Sequence, residues 1–280
     1  MKKTLFQPVY ALACTAVVFA TSCTPENEIV STPPVIAGAE KMELAFPGQT
    51  GTVRNGYLFG QPITYQTING FNVLDGDILV DETQLSAKGG RTESAGRNSG
   101  RWPNGIVYYT IASNLPNKYR VTDAIAHWEA NTAIRFVQRT SQSSYVTFQV
   151  GSGCSSYIGQ VGGQQYINLA SGCSTGNTIH EIGHALGLFH EQTRADRDNY
   201  VNILTQNIQS GYENNFAKYT AIGYSGTDFG ALDFGSIMMY GSYSFSSNGQ
   251  PTITKKDGST FNVQRNGLSA GDKNGIDVMY

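Results

Sequence analysis

The stretch His180-Glu181-Ile182-Gly183-His184-Ala185-Leu186-Gly187-Leu188-Phe189-His190 constrains this chain more than any other. Residues four apart on a helix share one face about one turn apart, so His180 and His184 present their imidazoles side by side with Glu181 next to them. Gly187 can adopt positive φ, which lets the helix stop and the chain turn until His190 reaches the same point. Three neutral imidazoles are a donor set for one zinc ion and leave its fourth position open to a water molecule. Zinc brings such a water to a pKa of about 7, and Glu181 stands where it can accept the proton while a polarised carbonyl is attacked. A lone pair of histidines on an amphipathic helix also has a bland reading as chance. Here three of only four histidines fill the ligand positions. The fourth, His127, falls in a separate helical pattern and reads as a solvated or hydrogen-bonded surface side chain.

The start of the chain points to export. Met1-Lys2-Lys3 is positive, Val9 to Ala20 is a short apolar run, and Ala20-Thr21-Ser22 is a small-residue cleavage site. The run falls short of the roughly twenty apolar residues that a membrane-spanning helix needs. Cys23, just after it, fits the lipid-modified cysteine of bacterial lipoproteins and would attach the protein to a membrane; ordinary signal cleavage at the same place fits equally. Cys14 leaves with the signal. In an exported protein the remaining pair, Cys154 and Cys173, favours a disulfide over metal ligation, since a lone pair is a poor zinc site. A net charge of -2 gives no electrostatic ground for a nucleic-acid partner or an anionic membrane surface.

Residues 24–37 are rich in Pro, Thr, Ser and Glu, the composition of a solvated tether. Short apolar runs up to Leu85, such as Ile63-Thr64-Tyr65 and Ile78-Leu79-Val80, suggest strands or extended segments among glycines. Residues 86–100 turn polar and glycine-rich, and Arg91, Arg97 and Arg101 offer a processing site to a trypsin-like protease. A compact domain then begins. Gly105 to Ile111 reads as a strand, Val121, Ala124, Ile125 and Trp128 fall at helical spacing after Asn117, and Tyr145 to Val150 alternates with Val146, Phe148 and Val150 on one face. Further short strands are expected at Tyr157-Ile158 and at Tyr166 to Leu169.

His180 to Val201, reading HEIGHALGLFHEQTRADRDNYV, resembles the extended zinc signature of the astacin family of metzincin proteases, and Ser236-Ile237-Met238-Met239-Tyr240-Gly241 resembles its Met-turn. Weaker similarity runs from Arg101-Trp102-Pro103 to Tyr280. The resemblance implies an α+β catalytic domain with a twisted, mainly parallel sheet, an active-site helix and a Met-turn, preceded by a small irregular propeptide. It implies one Zn2+ on His180, His184 and His190, Met238 as the floor beneath them, and Tyr240 as an extra, displaceable ligand that swings away to stabilise the oxyanion. Glu191 would bind the new amino terminus after processing. Cys154 with Cys173 matches one family disulfide. Leu74-Asp75-Gly76-Asp77-Ile78 resembles the propeptide motif whose aspartate, here Asp77, plugs the zinc in the latent form, although from the pentapeptide alone an Asp-Gly turn is the simpler reading. Met239 stands where the family usually has histidine, and Leu188 where it has phenylalanine.

The organisation so implied is a signal peptide over 1–22, a tether and propeptide over 23–91 with its boundary between 86 and 100, and a catalytic domain over 92–280. The activity implied is endopeptidase cleavage of extracellular proteins or peptides, released when an activating protease cuts the precursor. Substrates would lie extended along an edge strand. Similar enzymes often prefer an acidic residue just after the cut bond, for which Lys255, Lys256 and above all Arg265 are candidates. Rival functions are a non-catalytic surface adhesin on the same fold, which would have no need of Glu181 and Tyr240, and a zinc hydrolase of another amide or ester.

Overall fold

Strand formers in short runs, separated by turn residues, dominate the first half of the chain, and the fold collects them into one sheet. The computed structural model describes Met1 and residues 43–58, 61–86, 100–222 and 226–280. The signal segment, Cys23 and most of the tether and linker, with Arg91 and Arg97, lie outside the described residues. The first strands are β1 (Thr52–Leu58), β2 (Gln61–Ile68), β3 (Phe71–Leu74), β4 (Ile78–Val80) and β5 (Leu85–Ser86). β1 to β4 form an antiparallel meander, and Asp75 and Gly76, with φ of 49° and 84°, make the turn between β3 and β4. Asp-Gly is suited to that backbone.

The second group comprises β6 (Ile106–Ile111), α1 (Tyr119–Asn131), β7 (Arg135–Gln138), β8 (Tyr145–Gln149), β9 (Cys154–Tyr157), β10 (Gln164–Leu169) and α2 (Thr175–Leu186). The sheet runs β5-β1-β2-β3-β4-β9-β10-β8-β6-β7. β10, β8, β6 and β7 are parallel neighbours and β9 is antiparallel to β10, so the expected mainly parallel sheet is present in this half. β4 completes the sheet by pairing in parallel with β9, Ile78 opposite Ser156 and Leu79 opposite Tyr157.

Two expectations need correction. The N-terminal segment is not irregular: it is a β-meander continuous with the main sheet. β3 and β4, of four and three residues, are too short for alternation to reveal them, and the segment gains its order by pairing with an edge that would otherwise be open. Val150 does not share the buried face of Val146 and Phe148; the strand ends at Gln149 and Val150 is 48% exposed.

α1 buries Val121, Ala124, Ile125 and Trp128 at the anticipated helical spacing, and the Trp128 indole donates to the Ile179 carbonyl of α2 at 3.1 Å. Between these helices and the sheet lie Val107, Val146, Phe148, Ile167 and Ile182, all buried. The meander packs its own apolar side chains, Leu58, Ile63 and Leu74, against Tyr219 and Ile222. Beyond α2 regular structure is sparse: β11 (Val201–Ile203) pairs with β12 (Ile253–Lys255), and α3 (Ala270–Met279) ends the chain.

Cys154 and Cys173 are joined as a disulfide across 19 positions of sequence. Closing a loop of that size removes roughly 3 kcal/mol of unfolded-state freedom on the chain-entropy model. Replacing both cysteines by serine should lower stability by about that amount, read as an earlier thermal unfolding midpoint.

Candidate metal centre and active site

Ser174 opens α2 by a reciprocal capping arrangement with Asn177, and Gly187 closes it at φ 107°, the left-handed conformation that permits the stop. The chain then turns and brings His190 alongside His180 and His184. Ring centroids lie 4.7 Å apart for His180–His184 and His184–His190 and 5.3 Å apart for His180–His190, with all three side chains fully buried. His180 Nδ1 donates to the Ile237 carbonyl and His184 Nδ1 to the Leu188 carbonyl, each at 2.8 Å. A carbonyl can only accept, so in both rings Nδ1 carries the proton and Nε2 turns a lone pair inward.

Asp77, at the head of β4, projects into the middle of these lone pairs. Its carboxylate lies 3.4 Å from His180 Nε2, 3.6 Å from His184 Nε2 and 3.3 Å from His190 Nε2. One ligand atom from each of the four residues falls within 4.8 Å of the others. His184 Nε2, His190 Nε2 and Asp77 Oδ1 are buried with no hydrogen-bond partner. Acceptors facing one another without protons are what a cation between them would satisfy, and three imidazole nitrogens with one carboxylate oxygen fit zinc. Burial lowers the His184 imidazole to about 4 and His190 in the same direction. Burial works against Asp77, yet the positive charge that His190 and His184 carry when protonated pulls its carboxyl well below the usual range. Glu181 adjoins the group without belonging to it. Its two oxygens are buried and unpartnered, and burial, then the charges of Asp77 and Glu43, push its carboxyl well above the usual range.

Residues 94–280 match the profile of the peptidase family Astacin. The chain belongs to the astacin family. It is 44% identical over 202 residues to Blastula protease 10 of Paracentrotus lividus, covering 65% of this chain and 34% of that one. Zinc metalloproteinase nas-4 of Caenorhabditis elegans is 35% identical over 220 residues, covering 75% and 69% of the two chains. Among solved structures, high choriolytic enzyme 1, a hatching enzyme zinc-protease from Oryzias latipes, matches with 35% identity and a TM-score of 0.59, over 64% of this chain and 92% of that one. The chain spans about a third of the length of the first curated relatives it matches.

The remaining astacin-family positions can be placed around the centre. Met238 lies beneath α2, fully enclosed, and the close approach explains Gly183: a β-carbon there would meet Met238 Sδ at 2.8 Å. Gly183→Ala should cost about 1–3 kcal/mol of overpacking and loosen metal retention, measurable by unfolding and by zinc titration. Asp272, which the sequence does not single out, lies three residues after Ser269, the N-cap of α3, and holds the Met-turn. Its carboxylate accepts from Ser236 Oγ at 2.6 Å and from the Ile237 amide at 2.9 Å. Met239, in place of the usual histidine, is buried among apolar neighbours.

Tyr240 packs its ring 4.4 Å from that of His190, while its hydroxyl donates to the Asp75 carbonyl at 2.5 Å. The hydroxyl is thus beside the ligand group and engaged by the N-terminal segment. Glu191 accepts from the Asp233 amide at 2.8 Å and from Arg194 at 3.3 Å, and lines a cavity of about 210 Å³. Burial raises its carboxyl to about 7 despite those two favourable partners. Among the three candidate cations, Lys255 lies 5.0 Å from the Phe234 ring centroid and Lys256 donates to Asn202 at 3.1 Å. Arg265 instead grips Glu43 of the N-terminal segment at 2.6 and 2.9 Å. Glu43 carries no motif and the sequence does not single it out. Burial alone would raise its carboxyl, but the charge His180 carries when protonated and that of Arg265 outweigh it and bring it to about 2.

Proposed function

We propose that this chain is a zinc endopeptidase, exported from the cell and kept latent by its own N-terminal segment over residues 43–86. The observation that carries the reading is the Asp77 carboxylate held among the three inward-facing imidazole nitrogens of an astacin-family domain. His180, His184 and His190 would hold the zinc, with Asp77 in the position a water would otherwise take. When bound, zinc supplies a Lewis acid that polarises a carbonyl and acidifies water.

The chain's own groups supply the rest. With the Asp77 and Glu43 charges withdrawn, Glu181 loses two of the influences that raise its carboxyl and is better able to accept a proton from the attacking water. The same carboxyl can then return that proton to the departing amine nitrogen. Tyr240, no longer donating to the Asp75 carbonyl, can direct its hydroxyl to the oxygen on which charge develops. The β9 edge, covered here by β4, would accept the main chain of an extended peptide.

Release is assigned to an activating protease cutting within 86–100, after which the new amino terminus would enter the cavity beside Glu191. This division of the chain, residues 23–91 as tether and propeptide and 92–280 as catalytic domain, follows from the same reading. Met1 to Ser22 supports export, and Cys23 would decide between a free and a lipid-anchored product. The adhesin alternative leaves unexplained a carboxyl buried beside the imidazoles without a partner.

The test is metal analysis with casein hydrolysis by the trypsin-treated protein. One zinc per chain is expected, with activity lost on chelation and restored by zinc. A protein that holds zinc but never cleaves casein or peptides would favour the adhesin or a hydrolase of another amide or ester.

A further inference from the structure

We propose that a second carboxylate, Glu43, latches the N-terminal segment to the cleft by seating in a cradle made by Arg265 and Asn177, independently of Asp77 at the metal centre. The inference rests on the latency reading above and adds a contact which that reading does not require.

Three features make the cradle a built site. Arg265 meets Glu43 with two parallel bonds, Nε to Oε1 at 2.6 Å and Nη2 to Oε2 at 2.9 Å, the fork geometry that gives charge-assisted pairs their strength. Asn177 adds a third donor at 2.6 Å, and its direction is fixed because its Oδ1 accepts from the Ser174 amide at 2.7 Å in the cap of α2. The guanidinium is steadied in turn by the Met239 carbonyl at 3.4 Å and the Gln264 carbonyl at 2.9 Å. Glu43 itself is only 2% exposed, so the pair is shielded from the solvent that weakens surface ion pairs.

The cradle is also coupled to the turn that carries Asp77. The Ala45 amide, two residues after Glu43, donates to the Gly76 carbonyl at 2.9 Å, next to Asp77. The two carboxylates therefore pull on one backbone junction from separate anchors, Arg265 with Asn177 on one side and the histidine group on the other. Removing one partner of a buried ion pair strands the other charge, so loss of either member should be felt strongly at that junction.

The test is amide hydrogen exchange on the full uncut chain, with and without zinc, comparing wild type with Glu43→Gln, Arg265→Lys and the double variant. Glu43→Gln should speed exchange at Ala45 by about tenfold to a hundredfold, the scale of a hydrogen-bonded charged pair. Arg265→Lys, which keeps the charge and loses the fork, should move the same amide in the same direction. The double variant should be little worse than Glu43→Gln alone, since both changes remove one interaction. Glu43→Asp, which retains the charge on a shorter arm, should fall between and serves if the glutamine variant does not fold. Exchange at Ala45 unchanged in Glu43→Gln, or effects that simply add in the double variant, would overturn the latch. Faster exchange in a protein that never cleaves casein would keep the latch and remove the peptidase reading; casein cleavage with unmoved exchange would do the reverse.

Discussion

Replacing Glu181 by glutamine is expected to leave zinc in place while peptide hydrolysis by the processed protein falls about a hundredfold to ten-thousandfold, the usual contribution of a positioned general base. The geometry separates the two effects. Glu181 lies outside the ligand group of Asp77, His180, His184 and His190, so an isosteric amide there removes no donor. Its carboxyl is buried without a hydrogen-bond partner, and no structural interaction is lost with the charge. His190→Ala should behave differently and release the metal, because it deletes one of three imidazoles and leaves a cavity beside the Tyr240 ring. Zinc stoichiometry and turnover measured on both variants decide the matter. Near-normal turnover in Glu181→Gln would remove it from the chemistry.

The part of the site carried by local geometry is legible in the sequence. A four-residue spacing and a glycine stop place three imidazoles without knowledge of the rest of the fold, and α2 ends at Gly187 as that pattern requires. Trp128 and its helix are legible for the same reason, since the period of the apolar residues is a local signal. What the sequence withholds depends on distant pairing. β4 is three residues long, and nothing within it states that it will lie parallel to β9. Glu43 reaches Arg265 across 222 positions, and a glutamate outside any motif reads as solvated until the fold closes over it. Asp77 is intermediate. Its neighbours Asp75 and Gly76 do form a turn, as the pentapeptide alone suggests, and the turn is what delivers Asp77 to the histidines. Only the resemblance to the astacin family tells which of the two aspartates faces the metal.

The precursor carrying Asp77→Ala, with its linker uncut, should hydrolyse a short peptide at least about tenfold faster than the uncut wild type, because a tethered carboxylate competes at high effective concentration. The gain should be confined to small substrates. β4 still covers the β9 edge, and the apolar side of the meander still packs on Tyr219 and Ile222, so casein should remain largely excluded until the linker is cut. Asp75 supplies the comparison. It is 1% exposed, both its carboxylate oxygens lack partners, and burial followed by the charge of Asp77 pushes its carboxyl well above the usual range. Asp75→Asn removes an ionisable group of similar size two positions away without touching the histidines, and its backbone carbonyl can still receive the Tyr240 hydroxyl. That variant should stay as silent as the wild type and should not be less stable, since burial already disfavours the charged form of the carboxyl that the neutral amide replaces. Parallel assays of the uncut proteins on a short quenched peptide and on casein read the difference. If Asp77→Ala and Asp75→Asn are equally silent on the short peptide, the segment blocks the cleft by bulk and by the β9 pairing, and Asp77 has no part in latency beyond its turn.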